Sequence, residues 1–351
     1  MTPAARLITL VTRHSSHVTE QHGGGNLKNK LTLVLGVGAL AMLWSSPGLA
    51  QAYPAKPIDI TVHTSAGSGG DLVSRLVSEV VRRDKLLPQP LMVTNRVGGS
   101  GVIAFTYFKE KRGDPYQMLS VTGTLLAMAY RPDVNIGLEH YTPVALMAID
   151  PQTIMVPADS PYKTFKELAE AARKDPNTLV AATTSIQGTG RMVIYMIEKA
   201  VPGAKFRFVT FKGGSDAVTA TAGGHTTFTT ENLSEGVSFV ETKKLRVLAI
   251  SADKRLPQAP EVPTLTELGY PITAGTIRGF TFAAGVPKEA VVTMEATLEK
   301  VHRSQAWKEF VTRSVFQDTF LGSAAFSKFL AQRLEEYRGF YDDVGLGKTK
   351  P

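Results

Sequence analysis

From Ile58 onward, short strand-like runs alternate with segments of helical period across joints of only a few residues, and this alternation limits the fold more than any other feature. The first series reads as strand 58–64, helix 71–86, strand 91–95, a glycine turn at 98–101, helix 102–112 and strand 117–122. It argues for a mostly parallel sheet covered on both faces by helices. A long strand over 141–148 precedes a second series: strand 153–156, helix 165–173, strand 179–184, helix 189–200, strand 206–211, helix 214–222, strand 226–230, helix 234–241 and strand 245–251. After Pro257, Pro260 and Pro263 come a strand at 278–283 and helices at 287–302, 304–313 and 324–343, which could return to complete the first unit. A chain of 351 residues with 43% hydrophobic content can bury two cores. The reading is therefore two α/β lobes, 53–148 plus 271–351 and 149–270, with joints near Ala148 and Tyr270 as a paired hinge. One large doubly wound domain is the alternative.

The joint after the first strand runs His63-Thr64-Ser65-Ala66-Gly67-Ser68-Gly69-Gly70-Asp71. Leu72, Val73, Leu76, Val77 and Val80 then recur at the spacing of one helical face, which places Asp71 at the N-cap. Glycines let backbone amides approach a ligand, and a helix N-terminus adds free N–H donors and a partial positive charge, so the turn suits an anion. A plain βα connection with a good cap would give the same local pattern. Other joints raise the binding reading by repeating it: Thr122-Gly123-Thr124, then Thr184-Ser185-Ile186-Gln187-Gly188-Thr189, then Lys212-Gly213-Gly214, with Glu231-Asn232 closing a strand. Sites in open α/β sheets lie at such strand ends.

The amino terminus stands apart. Lys28 and Lys30 precede an apolar run from Leu31 to Trp44, followed by Ser45-Ser46-Pro47-Gly48-Leu49-Ala50-Gln51-Ala52. This is the pattern of a secretory signal peptide cut after Ala50 or Ala52, and the run is short for a membrane span of about 20 residues. Residues 1–27 read as an upstream extension. The chain has no cysteine, which excludes thiol chemistry and disulfides. Its formal net charge of +8 is spread along the chain without the basic stripe of a nucleic-acid binder.

Catalytic patterns are weak. His63, His140, His225 and His302 lack metal-ligand spacing and show no serine or carboxylate partner in a known motif. There is no G-x-S-x-G elbow or phosphate-binding Walker loop, and Gly67-Ser68-Gly69-Gly70 matches a dinucleotide fingerprint only loosely. Trp307, Phe310, Phe316, Phe320, Phe326, Phe329, Leu330, Tyr337, Phe340 and Tyr341 are expected to pack a core rather than hold a cofactor.

Several segments together resemble the tripartite tricarboxylate transporter substrate-binding proteins, the TctC or Bug family of periplasmic receptors. Leu248-Ala249-Ile250-Ser251-Ala252-Asp253-Lys254-Arg255 with Pro260-Glu261-Val262-Pro263-Thr264-Leu265-Thr266-Glu267-Leu268-Gly269 is similar to that family's most specific pattern. Val93-Thr94-Asn95-Arg96 with Gly98 and Gly101, Phe211-Lys212-Gly213, Gly223-Gly224, and the segment from Gly279 to Pro287 resemble others, in the same order, from about Tyr53 to about Gly345. The resemblance implies a type II periplasmic-binding-protein fold, two lobes closing on an organic acid held by backbone amides and hydroxyls. Ser65, Ala66, Ser68, Gly69, Gly70 and Asp71 would form the first binding loop, and Thr184, Ser185, Gln187, Gly188 and Thr189 the second. Thr122 and Thr124 join them, with Lys212, Glu231 and Arg278 as charged candidates. This chain departs from the pattern in having His63-Thr64 for Pro-Phe, Ser68 for a glycine, and Thr230-Glu231-Asn232 where Phe-Asp-Asn is usual.

The expected function is thus a monomeric, non-enzymatic periplasmic receptor without cofactor or metal. It would bind a small organic carboxylate, a dicarboxylate or an aromatic acid, and deliver it to a tripartite tricarboxylate-type membrane transporter. The alternatives are a receptor that signals to a sensor protein and an exported α/β enzyme acting on a carboxylate.

Overall fold

Eleven strands and ten α-helices follow in chain order in the computed structural model, which describes residues 53–131, 134 and 136–345. The expected signal peptide and the upstream extension lie outside the described residues. Among those residues, no helix is long and apolar enough to cross a membrane.

The first sheet is built from β1 (Ile58–Val62), β2 (Leu91–Asn95), β3 (Gln117–Val121), β4 (Tyr141–Pro151), β10 (Gly275–Ala283) and β11 (Gln317–Gly322), in the order β11-β4-β10-β3-β1-β2. The second contains β5 (Thr153–Pro157), β6 (Val180–Thr183), β7 (Arg207–Thr210), β8 (Phe228–Thr229) and β9 (Leu245–Ile250), ordered β7-β6-β8-β5-β9. Both sheets are mixed, which corrects the expectation of a mostly parallel one. β1 is parallel to β2 and β3, and β6 to β7 and β8, but β10 runs antiparallel to β3 and β4, and β5 antiparallel to β8 and β9. The reason is the route between sheets. The chain leaves the first sheet along β4 and returns along β10, so Pro151 faces Gly275, and Thr153 faces Ile250 just across Gln152.

Helices cover the sheets as the apolar periods require. α1 (Gly69–Arg83) buries Val73, Val77, Val80 and Val81 against Ile58, Ile60 and Val62. Its first residue is Gly69 and its N-cap Ser68, so Asp71 is the third helical residue rather than the cap. Leu72, expected on the core face, instead points outward with 46% exposure. α8 (Lys288–Arg303) and α9 (Gln305–Ser314) close the same core with Met294, Leu298 and Trp307. Of the expected aromatic set, eight members are buried, with Phe320 and Phe329 partly so.

The remaining helices are α2 (Val102–Lys109), α3 (Thr124–Met128), α4 (Phe165–Lys174), α5 (Thr189–Ala200), α6 (Gly214–Ala222), α7 (Leu233–Glu241) and α10 (Ser323–Asp343). α4 starts on a capping box, in which Thr164 Oγ1 accepts from the Glu167 amide at 3.2 Å and Glu167 Oε2 accepts from the Thr164 amide at 3.2 Å. α10 touches both halves. Its Tyr341 stacks on Tyr130 at 4.5 Å, and its Phe340 ring lies 5.5 Å from that of Tyr195 on α5. Two elements were not expected: α3, and the edge strand β11, whose Asp318 is tied to Trp307 Nε1 and Lys308 of α9.

Candidate functional site

A cavity of about 550 Å³ lies where the joints after β1, β2, β3, β6, β7 and β8 meet. Gly69 and Gly70 bring the N-terminus of α1 to it, Thr189 and Gly190 that of α5, and Gly214 that of α6. The first amides of a helix have no partner inside it, and each N-terminus carries about half a positive charge, so these ends favour an anion. The two sheets approach closely here: a Cβ on Gly123 would stand 2.9 Å from Thr189 Oγ1.

The first loop is held from below. Asp71 Oδ2 accepts from the Gly67 amide at 2.9 Å and from Arg75 Nε at 2.9 Å, while Asp71 Oδ1 accepts from Asn95 Nδ2 at 2.9 Å. Asn95 Nδ2 also donates to the Thr64 carbonyl at 2.9 Å, so strand β2 fixes both ends of the loop. Burial raises the Asp71 carboxyl, but the bonds from Arg75, Gly67 and Asn95 outweigh it and hold the group below the usual carboxylate range. Beside it, Gly98, Gly99, Ser100 and Gly101 all have positive φ (138°, 58°, 53° and 96°), a turn that needs its glycines. Gly101 lines the cavity in contact distance of Thr124.

His63 sits under the loop, 7% exposed, with Nε2 3.0 Å from Thr122 Oγ1 and its ring 5.3 Å from that of Phe105. Burial, then the charge of Arg278, lowers its pKa to about 4, so it is a neutral packing and positioning group. In the second loop, the Thr184 amide donates to Glu231 Oε1 at 2.9 Å and the Gln187 amide to Ser185 Oγ at 3.1 Å. Glu231 is 4% exposed. Burial, then the nearby Glu235, raises its pKa to about 8, and the bonds from Thr183 and Thr184 only partly offset this.

The far wall carries buried charge. Arg278 Nη2 donates to Asp150 Oδ2, which also accepts from Ser234 Oγ at 2.8 Å. The guanidinium lies over the start of α1: a Cβ on Gly69 would be 2.5 Å from Arg278 Nη2. Burial pushes the Asp150 carboxyl up while Arg278 and Ser234 pull it back. Glu235 packs on Gly214 at the head of α6, and burial together with Asp150 raises its pKa to about 7.

Of the residues expected from sequence, Ser65, Ser68, Gly69, Gly70, Thr122, Thr124, Thr184, Ser185, Gln187, Gly188, Thr189, Lys212, Glu231 and Arg278 are brought to this one cavity. Ala66 and Asp71 are not. Asp71 is turned beneath the loop by its three donors, and Ala66 sits on the exposed side. Asn232, noted beside Glu231 at the strand end, lines it as well, and sequence reading missed Gln152, Glu235 and Thr276, which also line it. In sequence Glu235 reads only as a first-turn acid of α7, with no signal of its place in the cavity. Among the described residues, no group of three or more potential ligands could hold a metal ion.

The fold aligns with a TctC solute-binding protein from Polaromonas, solved without ligand: 27% identity, TM-score 0.70, covering 83% of this chain and 100% of that one. It also aligns with an R. palustris protein solved with adipate (21% identity, TM-score 0.76, 84% and 99% covered) and with MatC from Rhodopseudomonas palustris with bound malate (22%, 0.71, 83% and 99%). The family model of the tripartite tricarboxylate transporter family receptor, TctC, matches residues 73–346. With that match over most of its length, the chain belongs to the TctC receptor family.

Proposed function

We propose that the protein is a periplasmic solute receptor that holds a small organic carboxylate, a dicarboxylate or an aromatic acid, between two lobes and delivers it to a tripartite tricarboxylate-type membrane transporter. The observation that carries this is the meeting of the N-termini of α1 and α5, one from each sheet, with the hydroxyls of Ser65, Thr122, Thr124 and Thr189 around one cavity. Amides and hydroxyls neutralise a carboxylate without a full countercharge, which leaves release possible. A volume near 550 Å³ falls in the range of small-molecule sites. The adipate and malate of the two R. palustris proteins are ligands of this chemical kind.

The lobes are assigned as residues 53–148 plus 271–351 and 149–270. The expected joints were near Ala148 and Tyr270; the continuation of β4 to Pro151 supports a flexure slightly later, at Gln152 and the facing 251–274 segment. There the Gln152 amide donates to the Ala274 carbonyl at 3.1 Å and the Ser251 amide to the Gln152 carbonyl at 2.9 Å, a narrow seam suited to a hinge. Export rests on the signal-peptide pattern ahead of Ala52 and on the family. The family supports binding without turnover and delivery to membrane subunits, and a monomer is expected.

Thermal denaturation against a panel of mono-, di- and aromatic carboxylates tests the reading. At a concentration one hundred times Kd a true ligand adds about 2.7 kcal/mol, several degrees in Tm for a chain of this size. A panel with no stabilising member would refute it. Intact ligand recovered after long incubation separates the receptor from an enzyme, and co-purification with transporter membrane subunits tests delivery.

A further inference from the structure

The two ends of the cavity differ in hydrogen-bonding character. Around α1 and α5 the groups are donors, whereas the wall formed by Gln152, Glu231 and Glu235 offers acceptors. The orientation of the Gln152 amide follows from a chain of bonds. The Asp150 carbonyl can only accept, so the nitrogen at 2.7 Å is Asn232 Nδ2, and Asn232 Oδ1 then accepts from Thr276 Oγ1 at 3.1 Å. With its hydrogen committed, Thr276 Oγ1 accepts from Gln152 Nε2 at 3.0 Å. Gln152 Oε1 is thereby turned to the free side. Gln152 is 2% exposed, and Oε1 receives no hydrogen bond from the described residues. Glu235 Oε2 is likewise buried without a donor.

Charge points the same way. The groups facing Glu235 are Glu231, Asp150 on β4, Arg278 on β10 and Asp216 on α6. Arg278 bonds to Asp150 and its charge offsets the rise of Glu235 only in part, while Lys212, which lines the same cavity, is not among the groups that act on either glutamate. Above about pH 8, where both carboxyls ionise, a second carboxylate on the ligand would add to their negative charge. A hydroxyl would fill the acceptors but leave the carboxylates uncompensated in a buried site. An ammonium group does both.

We infer that the ligand is an amino-bearing carboxylate, its carboxylate at the N-termini of α1 and α5 and its ammonium among Gln152, Glu231 and Glu235. The inference rests on the carboxylate-receptor reading and narrows it. Binding of such a ligand expels protons from carboxyls that are raised to about 7 and about 8, so its affinity climbs with pH, the reverse of a plain diacid.

Calorimetric titration of the mature chain with matched four-, five- and six-carbon sets, which differ only in the group at the far end, decides the matter: 4-aminobutyrate, 4-hydroxybutyrate and succinate; 5-aminopentanoate, 5-hydroxypentanoate and glutarate; 6-aminohexanoate, 6-hydroxyhexanoate and adipate. In at least one set the amino member should bind tenfold or more tighter than its hydroxy and diacid partners at pH 8. That affinity should fall severalfold by pH 6, and Glu235→Gln should erase most of the preference. A diacid or hydroxy acid that binds as well as its amino partner overturns the ammonium while leaving a carboxylate receptor in place. Absence of binding by every carboxylate overturns both. Should Glu235→Gln not fold, the wild-type pH series decides, and amino-ligand affinity that is flat or rises on acidification contradicts the inference.

Discussion

Asp71, beneath the first loop, and Glu231, in the cavity wall, are two buried carboxyls with opposite roles, set by their donors. Asp71 accepts from Gly67, Asn95 and Arg75, so it is a brace. Asp71→Ala removes three partners at once and should cost about 2 kcal/mol in chemical denaturation, with roughly tenfold weaker ligand affinity as the loop loosens. Unchanged affinity would show that the loop is only a connection. Glu231 accepts from a single backbone amide, and burial raises it to about 8. A carboxyl raised in the folded state binds more protons there than in the unfolded chain between about pH 4.5 and 8, so stability falls as pH rises through that window. His63, lowered to about 4, acts only below about pH 6.5. Between pH 6.5 and 8.5 the ligand-free protein should therefore lose about 2–3 kcal/mol, the larger share from Glu231 and the rest from Glu235, so Glu231→Gln removes most of the loss. Tm against pH for the two proteins checks this.

At the scale of elements, the site depends on where helices begin. α1 starts under the Arg278 guanidinium, so Gly69→Ala should displace Arg278 from Asp150, costing about 1–3 kcal/mol and lowering affinity tenfold or more. Titration and denaturation of that variant test the close approach, which equal affinity would contradict. The starts of α5 and α6 were legible because Gly188-Thr189 and Gly213-Gly214 break the preceding strand just before an apolar period. The start of α1 was misplaced by two residues, since Asp71 has the chemistry of a cap but uses it on Gly67, one turn back. β11 was missed because Gln317 and Asp318 give an edge strand little apolar signal, and α3 because five residues carry no period. Strand direction is not written locally: the antiparallel pairing of β4 with β10 joins residues more than a hundred positions apart. Glu235 was passed over for a similar reason. In sequence it is an ordinary first-turn acid, and only the packing of α7 on α6 places it against Gly214.

On the scale of the whole molecule, the two sheets are joined by the paired crossing at Gln152 and by the contacts of α10 with both halves, which the proposed hinge motion would have to accommodate. Tyr195 Oη donates to Asp343 Oδ2 at 2.8 Å and Lys199 Nζ lies 3.0 Å from the same atom, an exposed link between α5 and α10. Such surface contacts contribute only up to about 1 kcal/mol, little enough to be exchanged in the proposed hinge motion. Solution scattering should show the radius of gyration fall when a stabilising carboxylate is added. The most direct measurement is a crystal structure of the mature chain with the carboxylate that raises Tm most. The account predicts carboxylate oxygens within about 3 Å of the amides at the heads of α1 and α5, bridging the two sheets. A ligand bound outside this cavity, or one whose carboxylate touches neither helix start, would contradict it.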